Sequence, residues 1–207
     1  MKKTTTDMGG DGRVPSIGSI LGLTGSGNEW SRLQGQQYAV LSEKRWIRFS
    51  IHAIAAVCLA LVFYPSAQVP MLLAWTSAVV ALALHSVWLD RRMAHCDLRG
   101  LKRSEYLQHS GNAFAKGLVW GAAALLFVPQ ADTATNAIGW SFVALLGLAA
   151  ATSRFNAPLG SVLFSAALSL AWAVGLTAAQ DYYLAAVAGL TGLFAAAAAV
   201  ENARGVY

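Results

Sequence analysis

The sequence predicts an all-α polytopic membrane protein, a bundle of six transmembrane helices with both termini in the cytoplasm. Three observations carry that prediction: the composition, six apolar runs, and the one-sided placement of the basic residues. Of 207 residues, 56% are hydrophobic and only 12% charged, and the mean hydropathy is +0.49. A soluble domain of this length cannot usually keep so apolar a composition in water, so a lipid-facing surface is implied.

The apolar runs are Ile47 to Tyr64, Val69 to Leu89, Ala113 to Val128, Ala137 to Ala151, Leu159 to Ala178 and Tyr183 to Val200. A helix needs roughly 20 residues to cross a 30 Å hydrocarbon core, so the third and fourth runs must be extended. The third extends backwards, with Ser104 as its expected N-cap, because no proline interrupts the residues after it. The fourth extends into Thr152 and Ser153.

Orientation follows from charge. The connections YPSAQVP, PQADTAT and AQDYY contain no Lys or Arg, and the basic residues gather on the other side, which is the positive-inside pattern. The inside segments hold Lys2, Lys3, Arg13, Arg32, Lys44, Arg45, Arg91, Arg92, Arg99, Lys102, Arg103, Arg154 and Arg204, with Arg48 and Lys116 in snorkelling reach of that face. This distribution assigns the net charge of +5 to a membrane surface and not to nucleic acid. Tyr64, Trp140, Tyr182 and Tyr183 are placed at one interface, and Trp46, Trp88 and Tyr106 at the other, as aromatic belts.

Residues 1–45, rich in Gly, Ser and Thr, read as a flexible cytoplasmic tail, including Gly25, Ser26 and Gly27. Within them, Trp30 to Leu41 is a short amphipathic stretch that could lie on the membrane surface, although Gln36 and Gln37 weigh against it. Residues 46–200 form the membrane domain, and residues 201–207 continue the last helix out of it. Gly117 and Gly121 in GLVWG, and Ser161, Ser165 and Ser169 at intervals of four, are read as helix-packing faces. Cys58 and Cys96 fall at different depths, so no disulfide is expected.

One polar stripe stands out. Glu105, His109, Asn112 and Lys116 lie at spacings of four, three and four, which puts them on one face of the helix entering span three. Ionisable residues inside a membrane are costly and tend to serve a purpose, which makes this stripe the candidate ligand site; a solvated face that sinks gradually, with Lys116 snorkelling to the cytoplasm, is the plainer reading. His52 and His85 fall at similar depth on neighbouring spans, where a bis-histidine haem or a metal could fit. Hydrogen-bonded core histidines without a cofactor are the plainer reading. No Walker A loop, G-x-S-x-G, H-E-x-x-H, C-x-x-C or dinucleotide-binding glycine motif occurs, and no nucleophile pairs with a base by spacing, so no catalytic activity is expected. The carboxylates near the spans, Asp90, Asp132, Asp181 and Glu201, sit at their ends, which disfavours coupled transport.

The segments QYAVLSEKRWIRFSIHAIAA, LDRRMAHCDLRGLKRSEYLQH and VENARGVY resemble the N-terminal multi-helix membrane region of alphaproteobacterial signalling proteins whose later domains are GGDEF and EAL modules acting on cyclic di-GMP. The resemblance implies a sensory input module of a bacterial inner membrane, with the last helix passing a change to a cytoplasmic output. It also implies a homodimer. The chain departs from that family in ending at Tyr207, about two helical turns past span six, so a C-terminal output domain is either missing or not part of the protein. An accessory subunit of a larger membrane complex, and a small transporter or channel lined by Lys116, Asn112, His52 and His85, are the alternatives.

Overall fold

The computed structural model describes residues 17–24, 28–153 and 157–204. The expectations for Lys2, Lys3, Arg13, Gly25, Ser26, Gly27, Arg154 and residues 205–207 lie outside the described residues. The helices are α1 Ile17–Ile20, α2 Asn28–Glu43, α3 Arg45–Phe63, α4 Val69–Arg92, α5 Cys96–Arg99, α6 Arg103–Phe127, α7 Thr133–Ser153, α8 Pro158–Ala178 and α9 Tyr182–Arg204. Six of these, α3, α4, α6, α7, α8 and α9, are long and apolar enough to cross a membrane, which makes this a multi-pass membrane protein.

The helix ends follow local chemistry. Pro70 and Pro158 open α4 and α8 in the first turn, where no intrahelical donor is lost. The start of α6 differs from expectation: Lys102 and not Ser104 is the N-cap, because the Glu105 carboxylate accepts the Lys102 backbone N–H at 3.0 Å. Asp132 accepts the Thr135 N–H at 2.7 Å and so caps α7, which carries the fourth span back to Thr133. Between α8 and α9 the chain reverses through Gln180 at φ 64°, a left-handed residue closing the end of α8.

The spans pack in the cyclic order α3, α4, α6, α8, α9, α7, with α7 also touching α8. The α6–α8 interface is the tightest, and the glycines predict it: a Cβ on Gly117 would lie 2.6 Å from the Phe164 carbonyl oxygen, and one on Gly121 2.5 Å from the Ala171 Cβ. With lipid as apolar as leucine, close backbone approach and dispersion drive this association. The serine face packs as expected too, with Ser161, Ser165 and Ser169 buried and Ser169 filling the space a Gly192 side chain would need.

Aromatic rings fill the bundle interior, among them Trp75 on Trp120 at 5.4 Å, Phe63 on Phe127 at 5.6 Å and Trp140 on Trp172 at 5.7 Å. Trp75 also donates its indole N–H to the Val119 carbonyl at 2.7 Å, joining α4 to α6. Trp140 is therefore a core residue and not part of a belt. Tyr106 leaves the other belt likewise, fully buried and donating its hydroxyl to the Leu21 carbonyl. Trp46, Trp88, Tyr64, Tyr182 and Tyr183 remain exposed at their ends of the spans.

At the basic end, residues 28–43, read as part of a flexible tail, are a helix docked against the bundle. It also does not lie as a free amphipathic surface helix, because Gln34 and Tyr38 on it are buried in protein. A second hydrophobic cluster, including Tyr38, Leu41, Met93, Cys96, Leu101 and Tyr106, supplies the burial that holds it. Most of those partners come from the α4–α6 connection, about 60 residues away in sequence, which is why local reading missed the docking.

Candidate functional site

Beneath α2 lies a buried charged group drawn from three spans. Asp90 sits in the last turn of α4 and is 1% exposed. A carboxylate there is disfavoured twice, by lost hydration and by the partial negative charge at the helix C-terminus. Two partners offset this. Arg48, from the first turn of α3, forms an ion pair with Asp90 Oδ2, and His109 Nε2 of α6 lies 3.6 Å from Asp90 Oδ1.

Arg48 has a second role. Its Nη1 donates to the Leu41 carbonyl in the last turn of α2, satisfying an acceptor the helix end leaves open. The guanidinium therefore joins α2 to the Asp90 carboxylate directly. On the same side, Tyr38 of α2 sets its ring edge-on to His109, with centroids 5.0 Å apart and planes at 81°. Gly160 of α8 lies beside His109, since a Cβ there would stand 3.9 Å from His109 Nδ1. The cluster thus joins α2, α3, α4 and α6, with α8 packed beside His109.

The cap helix is fixed at its other end by a reciprocal pair of hydrogen bonds. Leu101 N–H donates to the Ser31 carbonyl at 2.8 Å, and Ser31 Oγ donates to the Leu101 carbonyl at 2.9 Å. Gly100, at φ 76°, turns the chain into this contact, and a side chain there would collide with Ser31 Oγ. Next to it the Cys96 thiol donates to the Gly35 carbonyl at 3.1 Å. Trp30 and Tyr38 both meet the Tyr106 ring edge-on, at 5.7 and 5.8 Å.

The predicted stripe on α6 divides between two surroundings. His109 and Lys116 are buried in the bundle, so Lys116 does not snorkel to an exposed surface. Glu105 stays near the aqueous end and forms a two-pronged ion pair with Arg99, at 2.7 and 3.0 Å. Asn112 donates to Ser86 Oγ at 2.7 Å, and Ser86 donates to the Leu82 carbonyl at 3.0 Å. Spacing put the four residues on one side of a helix, but neighbouring helices cover that side unequally.

The two span histidines also face different neighbours. His52 is buried with its ring 6.0 Å from Trp120 and 6.2 Å from Phe164, whereas His85 is exposed and stacks on Trp88 at 5.4 Å. Equal depth does not make them neighbours, because depth does not fix the direction a side chain points around its helix. Among the described residues no group of three or more His, Cys, Asp or Glu side chains is gathered where it could hold a metal ion.

Sequence reasoning placed Asp90 at a span end and Arg48 in snorkelling reach, and it singled out His109, but it did not join them. The available signal was the depth of all three near the basic end. No family model, curated protein or solved structure matches the chain.

Proposed function

We propose that this chain is a membrane-embedded sensory input module of a bacterial inner membrane, with the docking of α2 as its movable element. The observation that carries the reading is the position of Arg48, which binds the last turn of α2 and the buried Asp90 carboxylate together. A stimulus that alters the charge or the packing at Asp90 and His109 alters the hold on α2. Two discrete packings, docked and released, are what a signalling equilibrium requires. The resemblance of the basic loop and the exit sequence to membrane regions of GGDEF and EAL signalling proteins supports the same class.

The test uses spin labels at Val40 on α2 and Asn202 on α9, both exposed positions, with distances measured by pulsed electron resonance in nanodiscs. Asp90→Asn removes the charge that holds Arg48, and a second, longer distance population is expected. His109→Gln and Arg48→Lys provide milder perturbations where Asp90→Asn fails to assemble. A single distance, identical to that of the parent in all three variants, rejects the switch.

A second reading, the accessory subunit, draws on one feature. A membrane-facing groove of about 420 Å³ between α8 and α9 is floored by Gly189 and Gly192 and edged by the exposed Leu170 and Leu193. Its shape suits a helix of another subunit. A partner that copurifies in fixed ratio and is lost on Gly189→Leu favours this role.

A further inference from the structure

The basic end of the bundle carries a second feature that the docked cap does not use. Between α4 and α6 a lateral groove of about 370 Å³ opens outward, lined by Leu82, His85, Trp88 and Gly111 among others. It continues into a space of about 240 Å³ that shares Leu89, Arg92 and Gln108 with it and adds Lys102 and Ser104. From Leu82 to Arg92 the groove spans ten residues of helix, or roughly 15 Å, which is one leaflet of a 30 Å hydrocarbon core. Its walls change character along that length: Leu82, Gly111 and Ala115 dominate the deep end, where Asn112 is already bonded to Ser86, and cations and hydrogen-bonding groups gather at the aqueous end.

The charges at the aqueous end are arranged for an anion. Arg92 lies over the Trp88 ring at 3.6 Å from its centroid, and His85 stacks on the same ring at 5.4 Å, so the guanidinium is positioned by an aromatic face. Among the described residues its guanidinium has no carboxylate partner. Lys102 is exposed beside it. The one carboxylate lining this end, Glu105, is held chiefly by Arg99 at 2.7 and 3.0 Å and also faces Lys102, so Arg92, Arg99 and Lys102 together outnumber it.

We infer that this groove is a binding site for an anionic glycerophospholipid of the leaflet on the basic side. Its phosphate would sit between Arg92 and Lys102, and an acyl chain would lie along Leu89, Leu82 and the open face of Gly111. The occupant is a lipid because the charged end adjoins, through Leu89, Arg92 and Gln108, a groove with mostly apolar walls that opens sideways to the membrane. A soluble phosphate compound would leave that groove unfilled.

Gly111 makes the groove testable without disturbing the bundle, since a Cβ there would meet nothing within 4 Å. Detergent-solubilised protein is loaded with phosphatidylglycerol or phosphatidylcholine of matched acyl chains, and retained lipid is read by native mass spectrometry. The parent is expected to retain phosphatidylglycerol about tenfold better. The double variant Arg92→Gln, Lys102→Gln is expected to fall to the phosphatidylcholine level. Gly111→Leu is expected to lower retention of both lipids while the thermal midpoint holds. Equal retention of the two lipids by the parent, or unchanged phosphatidylglycerol retention in the double variant, overturns the site. Displacement of the lipid by millimolar glycerol 1-phosphate overturns the lipid assignment in favour of a soluble phosphate.

Discussion

At the scale of single residues, burial sets the chemistry of the cap. The Cys96 thiol is fully buried against Gly35, and lost hydration pushes its pKa above the ordinary value of 9.0. The neutral thiol is therefore the form that the docked state favours. The resulting stabilisation is fully present below pH 9.0 and is lost as pH rises through the higher folded value. In a Cys58→Ala background, maleimide labelling of Cys96 at neutral pH is expected to be slow, accelerating on unfolding or at strongly alkaline pH. Labelling as fast as a free peptide thiol at pH 7.5 contradicts the docking of α2. Asp132 shows the opposite direction: hydrogen bonds from Thr135 hold its carboxyl below the usual carboxylate range.

At the scale of elements, α2 and α5 touch backbone to backbone. A Cβ on Gly35 would overlap the Cys96 carbonyl oxygen and lie 3.3 Å from the Gly100 Cα, and neither atom belongs to a side chain that can rotate away. Gly35→Ala is expected to cost about 1–3 kcal/mol of cap docking, the usual penalty of overpacking. The readout is local: faster Cys96 labelling and easier proteolysis within 28–43, with the thermal midpoint of the six spans little changed. A fall in that midpoint with no change in labelling would mean that the cap and the spans unfold as one unit. The amphipathic pattern of α2 was visible in sequence; its choice between lipid and protein as the covering surface was not. Tyr38 and Gln34 share its buried side, and a partner surface offering aromatic edges and hydrogen-bonding groups suits both better than acyl chains do.

At the scale of the whole molecule, the close approach of α6 and α8 organises the bundle, since they are the two most buried spans. Gly117→Leu places a side chain where the Phe164 backbone stands, whereas Gly189→Leu on α9 extends into open space. Both changes raise helix propensity by about 1 kcal/mol, so propensity alone predicts equal gains. Packing predicts otherwise: Gly117→Leu lowers the thermal midpoint in detergent and Gly189→Leu holds or raises it. Equal shifts for the two would show that the glycines are not what allows the helices to meet. The polar contacts that close the far end, Thr133 and Asn136 donating to Asp181 at 2.8 and 2.9 Å, tie α7 to the α8–α9 turn away from this interface.

The sequence by itself determined how many helices cross the membrane, nearly where each begins and ends, and which faces carry the small residues that let helices meet. These are properties of local composition: hydropathy measures depth, glycine and serine spacing marks a helix face, and proline and aspartate mark ends. The tertiary structure decided which residues meet around the bundle. Arg48 and Asp90 are 42 positions apart and His109 belongs to a third span, so their meeting depends on how each helix is rotated about its axis. Hydropathy is nearly blind to that rotation in a chain apolar on most sides. For the same reason His52 and His85, level in depth, face different neighbours, and a stretch read as a tail is a cap over the most buried charge of the described residues.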